Sequence, residues 1–314
     1  MTTGLRRFGA GLRMRSAMLK SLLQRVIGAL LLLVVVIAPA AGQVPGARSP
    51  LDNDTFNIDK RQFNLFHPTP RLYMRPMVPD RPGITESPYS VDAGHFQYET
   101  DALRRLTRRD GTTYGHDWYV NHALTKIGLT DRTDLQVGLD SYTDTRNYDD
   151  ADPGQTQIYR GVGDLTVRLK HTLIGDDNSR WALGLIGYTI LPTGGPRGDG
   201  AVEYGAVLPV VYQLNKVWSI GGQVATQVYW DRDTRSRFLQ LTPTFTTDYQ
   251  FTKLIQAFVE LVGYDDTRLN DWRSSINTGV QLDVSDNVQL DFGTHLPITK
   301  SVDREYFIGI SFRR

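Results

Sequence analysis

The chain has 314 residues, with 35 Lys and Arg against 34 Asp and Glu, and it contains no cysteine. Without cysteine it can hold no disulfide, no thiolate metal site and no cysteine-linked lipid anchor. Six of the basic residues and none of the acidic ones precede residue 43, so the remainder carries a net charge of about −5. That charge argues against a nucleic-acid-binding protein.

Residues 1–42 have the features of a secretory signal peptide. A basic stretch precedes a nearly all-aliphatic run over 26–38, and small residues follow at 38–42. The run is about 13 residues long, short of the roughly 20 that a spanning helix needs, and no second such run follows. We predict cleavage between Ala40 and Gln43, and we expect any crossing of a membrane to be made by strands.

The next stretch, residues 43–90, is rich in proline, with the last six at positions 68, 70, 76, 79, 82 and 88. Proline at this spacing disfavours both a helix and a central strand. Two interpretations stay open for this N-terminal segment. It is either a flexible periplasmic leader or a segment folded into the lumen of a barrel as a plug.

From residue 91 onward, apolar and polar residues alternate in segments of strand length. The pattern is clearest near the C-terminus, where Leu290 and Phe292 alternate with Gln289, Asp291 and Gly293. A period of two fits a half-buried strand in any antiparallel sheet. Alternation alone therefore does not distinguish a membrane barrel from a soluble sandwich.

The connections make that distinction. Tight ones are predicted at 130–131, 175–178, 215–216, 250–252 and 285–286, and longer ones at 108–112, 145–159, 192–200, 231–235, 265–271 and 297–303. Short periplasmic turns alternating with long outer loops are typical of an up-and-down barrel. We predict an all-β fold: a transmembrane up-and-down antiparallel β-barrel of about twelve strands over residues 91–314.

Alternation also predicts which side chains face the lumen and which form a C-terminal assembly signal. The signal is the outward set of the last strand, Tyr306, Ile308, Ile310 and Phe312, and we expect the barrel assembly machinery to recognise it. The predicted lumen-lining residues are polar: His95, Gln97, Glu99, Asp134, Asp140, Asp164, Arg168, Lys170, Gln281, Asp283, Asp291 and His295. Arg168 and Lys170 would act as wall cations that set charge selectivity.

Four stretches resemble the family of meta-pathway phenol-degradation outer-membrane transporters. They read DRPGITESPYSVDAGHFQYE at 80–99, DRTDLQVG at 131–138, GVGDLTVRLK at 161–170 and LPTG at 191–194. They span most of the chain after the signal. The resemblance implies an outer-membrane channel associated with the uptake of aromatic compounds.

No catalytic motif is visible: there is no G-x-S-x-G elbow, no H-E-x-x-H and no P-loop, and the six histidines lack ligand spacing. We therefore expect no enzyme, no metal and no cofactor. The predicted function is a channel for small solutes, aromatic or hydrophobic ones among them, in the outer membrane of a Gram-negative bacterium after signal cleavage. Its other partners would be outer-membrane lipid and lipopolysaccharide. Two alternatives stay open, a barrel enzyme acting on lipid near the outward His171, and a plugged structural barrel.

Overall fold

The computed structural model describes residues 58–314 except 111–112, 150–151, 176, 178, 196–197, 199, 233 and 269–270. The predicted signal segment and its cleavage site lie outside the described residues. All of the structure below belongs to the unit that begins at Gly46.

Thirteen β-strands and two three-residue 3-10 helices, Lys60–Gln62 and Arg71–Tyr73, occur in the described part of the chain. None of the helices described there has the length and apolar character to span a bilayer. The strands are β1 (Phe96–Asp110), β2 (Thr113–Gly128), β3 (Thr133–Asp149), β4 (Asp152–Gly161), β5 (Leu165–Ile174), β6 (Trp181–Leu191), β7 (Glu203–Gln213), β8 (Trp218–Asp231), β9 (Ser236–Gln250), β10 (Ile255–Asp266), β11 (Asp271–Ser285), β12 (Val288–Pro297) and β13 (Arg304–Arg313).

These strands form one closed antiparallel sheet in which β13 pairs with β1. β3 pairs through residues 143–149 with β4 and through residues 133–139 with β5. β4 and β5 therefore share one position in the wall, and the wall has twelve strand positions, which confirms the predicted count. Closure leaves the wall with no free edge through its central part, so backbone N–H and C=O groups are paired without water.

Two of the predicted long loops are wrong. β1 ends at Asp110 and β2 begins at Thr113, while β3 ends at Asp149 and β4 begins at Asp152, so 108–112 and 145–159 are mostly paired strand. Their polar composition resembles that of a loop, but a hairpin that projects past its neighbours has water on both faces and needs no apolar side. Longer connections do join β6 to β7 and β12 to β13.

The side chains of the wall alternate as predicted, with apolar groups outside and polar groups inside. On β12, Leu290 and Phe292 are exposed on the outer surface, whereas Gln289, Asp291 and His295 are buried. The outward side chains of the last strand, Tyr306, Ile308 and Phe312, are likewise exposed, and Ile310 is half-buried. This strand pairs with both β12 and β1 and so closes the barrel. Its recognition by assembly machinery stays a prediction.

The barrel has two ends, and their orientation can be tested by labelling. The turn end is where the chain enters β1 and leaves β13, and the loop end is opposite. Because the chain has no native cysteine, Lys300→Cys, exposed at the loop end, should react with an impermeant maleimide on intact cells, and Asn215→Cys, exposed at the turn end, should not. Gly198 is a poor labelling site because a Cβ there would meet Asp164 at 2.0 Å. Labelling at Asn215→Cys alone would reverse the assigned orientation.

Candidate functional site

The lumen contains a stretch of this same chain. Residues 58–95, here the luminal segment, precede β1. Their first part lies at the turn end, where Phe66 and Leu72 are exposed, and residues 80–90, here the crossing loop, extend across the lumen from one side of the wall to the other. Three of the prolines noted in the sequence stand in or next to this loop, so its backbone forms no helix or strand and takes its partners from the wall. It hydrogen bonds to side chains of β1, β2, β5, β8, β9, β10, β11 and β12.

Asp80 binds two lysines of the wall. Its carboxylate accepts a hydrogen bond from the Lys126 ammonium at 2.5 Å and from the Lys170 ammonium at 2.6 and 2.8 Å. Its backbone N–H donates to Glu99 at 2.9 Å, and Glu99 also pairs with Lys126. Burial opposes ionisation of Asp80, but the two ammonium groups outweigh burial and hold its pKa below the ordinary value of 3.8. Asp80, Glu99, Lys126 and Lys170 thus form a buried cluster of ion pairs between the crossing loop and strands β1, β2 and β5.

Arg81 binds the neighbouring part of the wall, at β1 and β12. Its guanidinium donates to both oxygens of Asp291, at 3.1 and 2.6 Å, and it also pairs with Asp101. The guanidinium carbon lies 5.5 Å from the centroid of the Phe307 ring, over which Arg104 also lies at 5.3 Å. A planar cation held by two carboxylates and an aromatic ring fixes the direction of the crossing loop.

Glu260 of β10 binds the tip of the crossing loop without a cation. Its carboxylate accepts hydrogen bonds from the backbone N–H of Ile84 at 2.9 Å and of Thr85 at 2.5 Å. It also accepts from the Asn277 amide at 2.7 Å. A Cβ on Gly83 would lie 3.2 Å from Glu260, so a larger residue there would press on this contact.

The last part of the crossing loop, from Glu86 to the adjoining Val91, is bound by side chains of β5, β8 and β3. Glu86 pairs with Arg168, and its backbone N–H donates to Gln223 at 2.8 Å. Thr172 donates to the carbonyl of Pro88 at 2.9 Å. The N–H of Val91 donates to Asp134 at 2.8 Å.

At the turn end, the luminal segment is held by a second ion cluster. Asp92 is fully buried and contacts Lys60 at 3.0 Å, Arg75 at 3.6 Å and Arg313 at 3.7 Å. Arg75 also lies 3.2 Å from Asp177 in the connection between β5 and β6. Two clusters at different heights therefore hold the segment.

The structure gives the twelve predicted lumen-lining residues different surroundings. Six wall residues contact the luminal segment: Glu99, Asp134, Arg168, Lys170, Gln281 and Asp291. His95 belongs to the segment itself and lies 2.6 Å from the carbonyl of Thr69. The others make wall contacts or line the cavity described below: Gln97 with Glu99, Asp140 with His122, His295 with Glu305, and Asp283 on the cavity. Asp164 lies between β4 and β5 and accepts from Gly194 at 2.7 Å, so it fixes a connection and is not on a strand.

Arg168 and Lys170, predicted as wall cations that set charge selectivity, lie on the inner face of the wall, and their effect on selectivity stays a prediction. Both are bound by carboxylates of the crossing loop, Arg168 by Glu86 and Lys170 by Asp80. Their partners were missed because ion pairs between residues 80 to 90 positions apart leave no trace in local alternation. The available signal was Asp80 and Arg81, which open the first stretch shared with the family.

A cavity of about 1310 Å³ lies between the luminal segment and the wall at the turn end. Apolar residues of its lining are Met74, Met77 and Val78 of the segment and Val211 and Phe258 of the wall. Its lining also includes charged residues, the exposed Lys216, Lys253 and Asp286 and the half-buried Arg180 and Asp283. The crossing loop forms its inner boundary. Among the described residues, no group of His, Asp and Glu is arranged to hold a metal ion.

Solved structures that resemble this fold include outer-membrane barrels. A solved outer-membrane channel from Pseudomonas putida F1 is 15% identical, with a TM-score of 0.53 over 74% of this chain and 98% of that one. The NanC porin is 12% identical, with a TM-score of 0.45 over 68% of this chain and 98% of that one. No curated protein matches the chain. The profile of the family described as "Putative MetA-pathway of phenol degradation" matches residues 79–308, a span that begins at the crossing loop, and the chain therefore belongs to this family.

Proposed function

We propose that the protein is an outer-membrane channel for small solutes, with the crossing loop as its constriction. The observation that carries this proposal is a closed barrel whose bore is spanned by a single loop bound at discrete charged points. A wall of twelve strand positions encloses more room than its side chains can fill. The crossing loop occupies part of that room, and the cavity of about 1310 Å³ remains beside it.

The solutes we propose are small molecules with an apolar, aromatic body and a polar edge. Pockets for such molecules combine apolar walls with a few placed polar groups. The cavity has this composition, with Met77 and Phe258 in its lining together with charged groups such as Lys216 and Asp283. Membership of the phenol-degradation family supports aromatic solutes in particular.

The proposal includes the processing of the chain. A signal over residues 1–42 would direct export and be cleaved, and β13 would present Tyr306, Ile308, Ile310 and Phe312 to the barrel assembly machinery. Of the two interpretations of residues 43–90, we propose the luminal plug and not the flexible leader. The contacts of Asp80, Arg81 and Glu86 with the wall support this role.

A second candidate, the plugged structural barrel, is favoured by the number of wall strands that the crossing loop binds. The lipid-enzyme alternative has weaker support. His171 is exposed on the outer surface, and its Nδ1 lies 2.8 Å from the Thr133 hydroxyl. None of the contacts found for the described residues joins His171 to a carboxylate that could orient it as a base.

Conductance distinguishes these functions. Purified folded protein in a planar bilayer should give discrete conductance steps, and proteoliposomes should admit benzoate faster than a neutral sugar of similar size. A protein-free bilayer and heat-unfolded protein are the controls. A silent folded protein with no solute flux would favour the structural barrel, and release of fatty acid from phospholipid by the same preparation would favour the enzyme.

A further inference from the structure

Basic side chains gather on the outer surface of the barrel at the loop end, directly above the lipid-facing apolar band. Strand register places them in rows. Ile308, Leu103, Val120 and Tyr142 form one outward row across β13, β1, β2 and β3. All four side chains are exposed and, the tyrosine hydroxyl apart, apolar. This is the last apolar row before the charged ones.

The next row toward the loop end carries arginine and aromatic groups. Register aligns Tyr306, Arg105, Trp118, Asp144 and Arg160 across β13, β1, β2, β3 and β4. The Arg105 guanidinium lies 5.5 Å from the centroid of the exposed Trp118 ring. Two residues along a strand span about 7 Å, so these charges lie about that far above the apolar row.

A second charged row follows. It aligns Arg304, Thr107, His116 and Arg146. Arg105 reaches His116 at 3.5 Å, and Asp144 lies 2.9 Å from Arg146 and 2.8 Å from Arg160. We name Arg105, His116, Arg146, Arg160 and Arg304 the basic rim. The described side chains of these two rows include four arginines and one acidic residue.

The turn end of the same strands lacks this arrangement. There the outward row of Phe96, Ile127, Leu135 and Leu169 is apolar, and the paired residues Thr133 and His171 follow it nearer the turns, with no arginine between them. The outer surface is therefore asymmetric along the barrel axis. Lys216 and Lys253, exposed at the turn end, lie in turns and not in a row on the strands. A cluster of arginines on the outer strand surface at one headgroup level matches a bilayer in which one leaflet is much richer in phosphate at that depth.

We propose that the basic rim binds the phosphate groups of the glycolipid in the outer leaflet, the lipid A part of lipopolysaccharide. Arginine binds phosphate through paired N–H donors. Arg146 and Arg160 keep about half of their side-chain surface exposed, 44% and 55%, although each contacts Asp144. The apolar row below would contact the acyl chains while the rim contacts the phosphates, so one lipid touches both rows. Each arginine near an anionic lipid surface adds to affinity.

The test is lipid affinity measured on the folded barrel in neutral detergent by native mass spectrometry. The probes are bisphosphorylated lipid A, the same lipid without its phosphates, and phosphatidylglycerol. Wild type should retain bisphosphorylated lipid A best. The double variant Arg146→Gln with Arg160→Gln should bind it roughly tenfold or more weakly, with no change for the dephosphorylated lipid. The matched control is Lys216→Gln with Lys253→Gln, two exposed cations in turns at the other end, and it should bind like wild type.

Heat-modifiable migration on gels checks that each variant is folded. Should the Arg146 and Arg160 variant fail to fold, Arg105→Gln with Arg304→Gln removes two other cations of the rim and takes its place. Equal affinity of the rim variant and the turn-end control overturns the proposal. Retention of phosphatidylglycerol by wild type as tight as that of lipid A also overturns it, because the site would then not select the outer-leaflet glycolipid.

Discussion

Asp80→Ala is expected to raise single-channel conductance several-fold over wild type. Asp80 is the acceptor for Lys126 and Lys170, and both lysines are fully buried. Removing one partner of a buried ion pair costs about 3–5 kcal/mol, because the charge that remains is left uncompensated. The crossing loop would leave its docked position, and the bore would widen. Planar-bilayer recordings of the folded variant measure this.

The matched control is Asp59→Ala. Asp59 lies on the same luminal segment, but its side chain is more than half exposed and contacts Arg61. Loss of an exposed pair of this kind has little effect on docking, so conductance should equal that of wild type. If Asp80→Ala folds and conducts like Asp59→Ala, the crossing loop does not limit flow.

Docking of the crossing loop should also persist in mild acid. The pKa of Asp80 is lowered below 3.8 by the two ammonium groups, so its contribution to docking is present above that value and is lost only as pH falls through the lowered pKa. Burial raises the pKa of Glu86, so keeping this carboxylate ionised in the docked loop costs free energy at neutral pH. Protonation in acid removes that cost, so Glu86 does not weaken docking as the pH falls. Conductance of wild type at about pH 4.5 should therefore match that at about pH 7. The lower pH is still above the ordinary pKa values of Asp and Glu, about 3.9 and 4.3. A several-fold increase at the lower pH would show that other carboxylates control docking.

The barrel could be predicted from the sequence because one physical requirement repeats along every strand. Lipid on one face and a polar lumen on the other impose a period of two, which β11 and β12 follow closely. Local irregularities break this reasoning, and the one in β2 is an example. Asn121 adopts a positive φ of 56°, and past it the side chains of β2 change faces. His116 then lies outside beside Arg105, whereas His122 contacts the inward Asp140, so strict alternation along β2 would place the two histidines on the same face wrongly.

The candidate site could be predicted only in part, since its residues are joined by contacts that are distant in sequence. Alternation identified Lys170 and Asp291 as inward-facing, but it could not reveal that Asp80 and Arg81 bind them. The same limit applies to Gly309, whose contact with the crossing loop leaves no trace in local alternation. A Cβ at Gly309 would lie 2.0 Å from the Arg81 guanidinium, so even Ala would disturb the crossing loop.

Ile310→Arg is expected to prevent stable assembly of the barrel, whereas Tyr306→Arg should be tolerated. Ile310 pairs with Thr100 and Leu290 on the outward face between the two ends of β13, so the new charge would lie deep in the hydrocarbon layer. A cation costs about 2–4 kcal/mol at the midplane and about 0–1 kcal/mol near an interface. Tyr306 lies four residues nearer the loop end, beside Arg105 of the basic rim, where arginine is already present. Heat-modifiable migration and outer-membrane yield of the two variants, compared in one strain, measure the difference. Because both substitutions introduce the same side chain on the same strand and face, equal yields would mean that Ile310 does not face lipid.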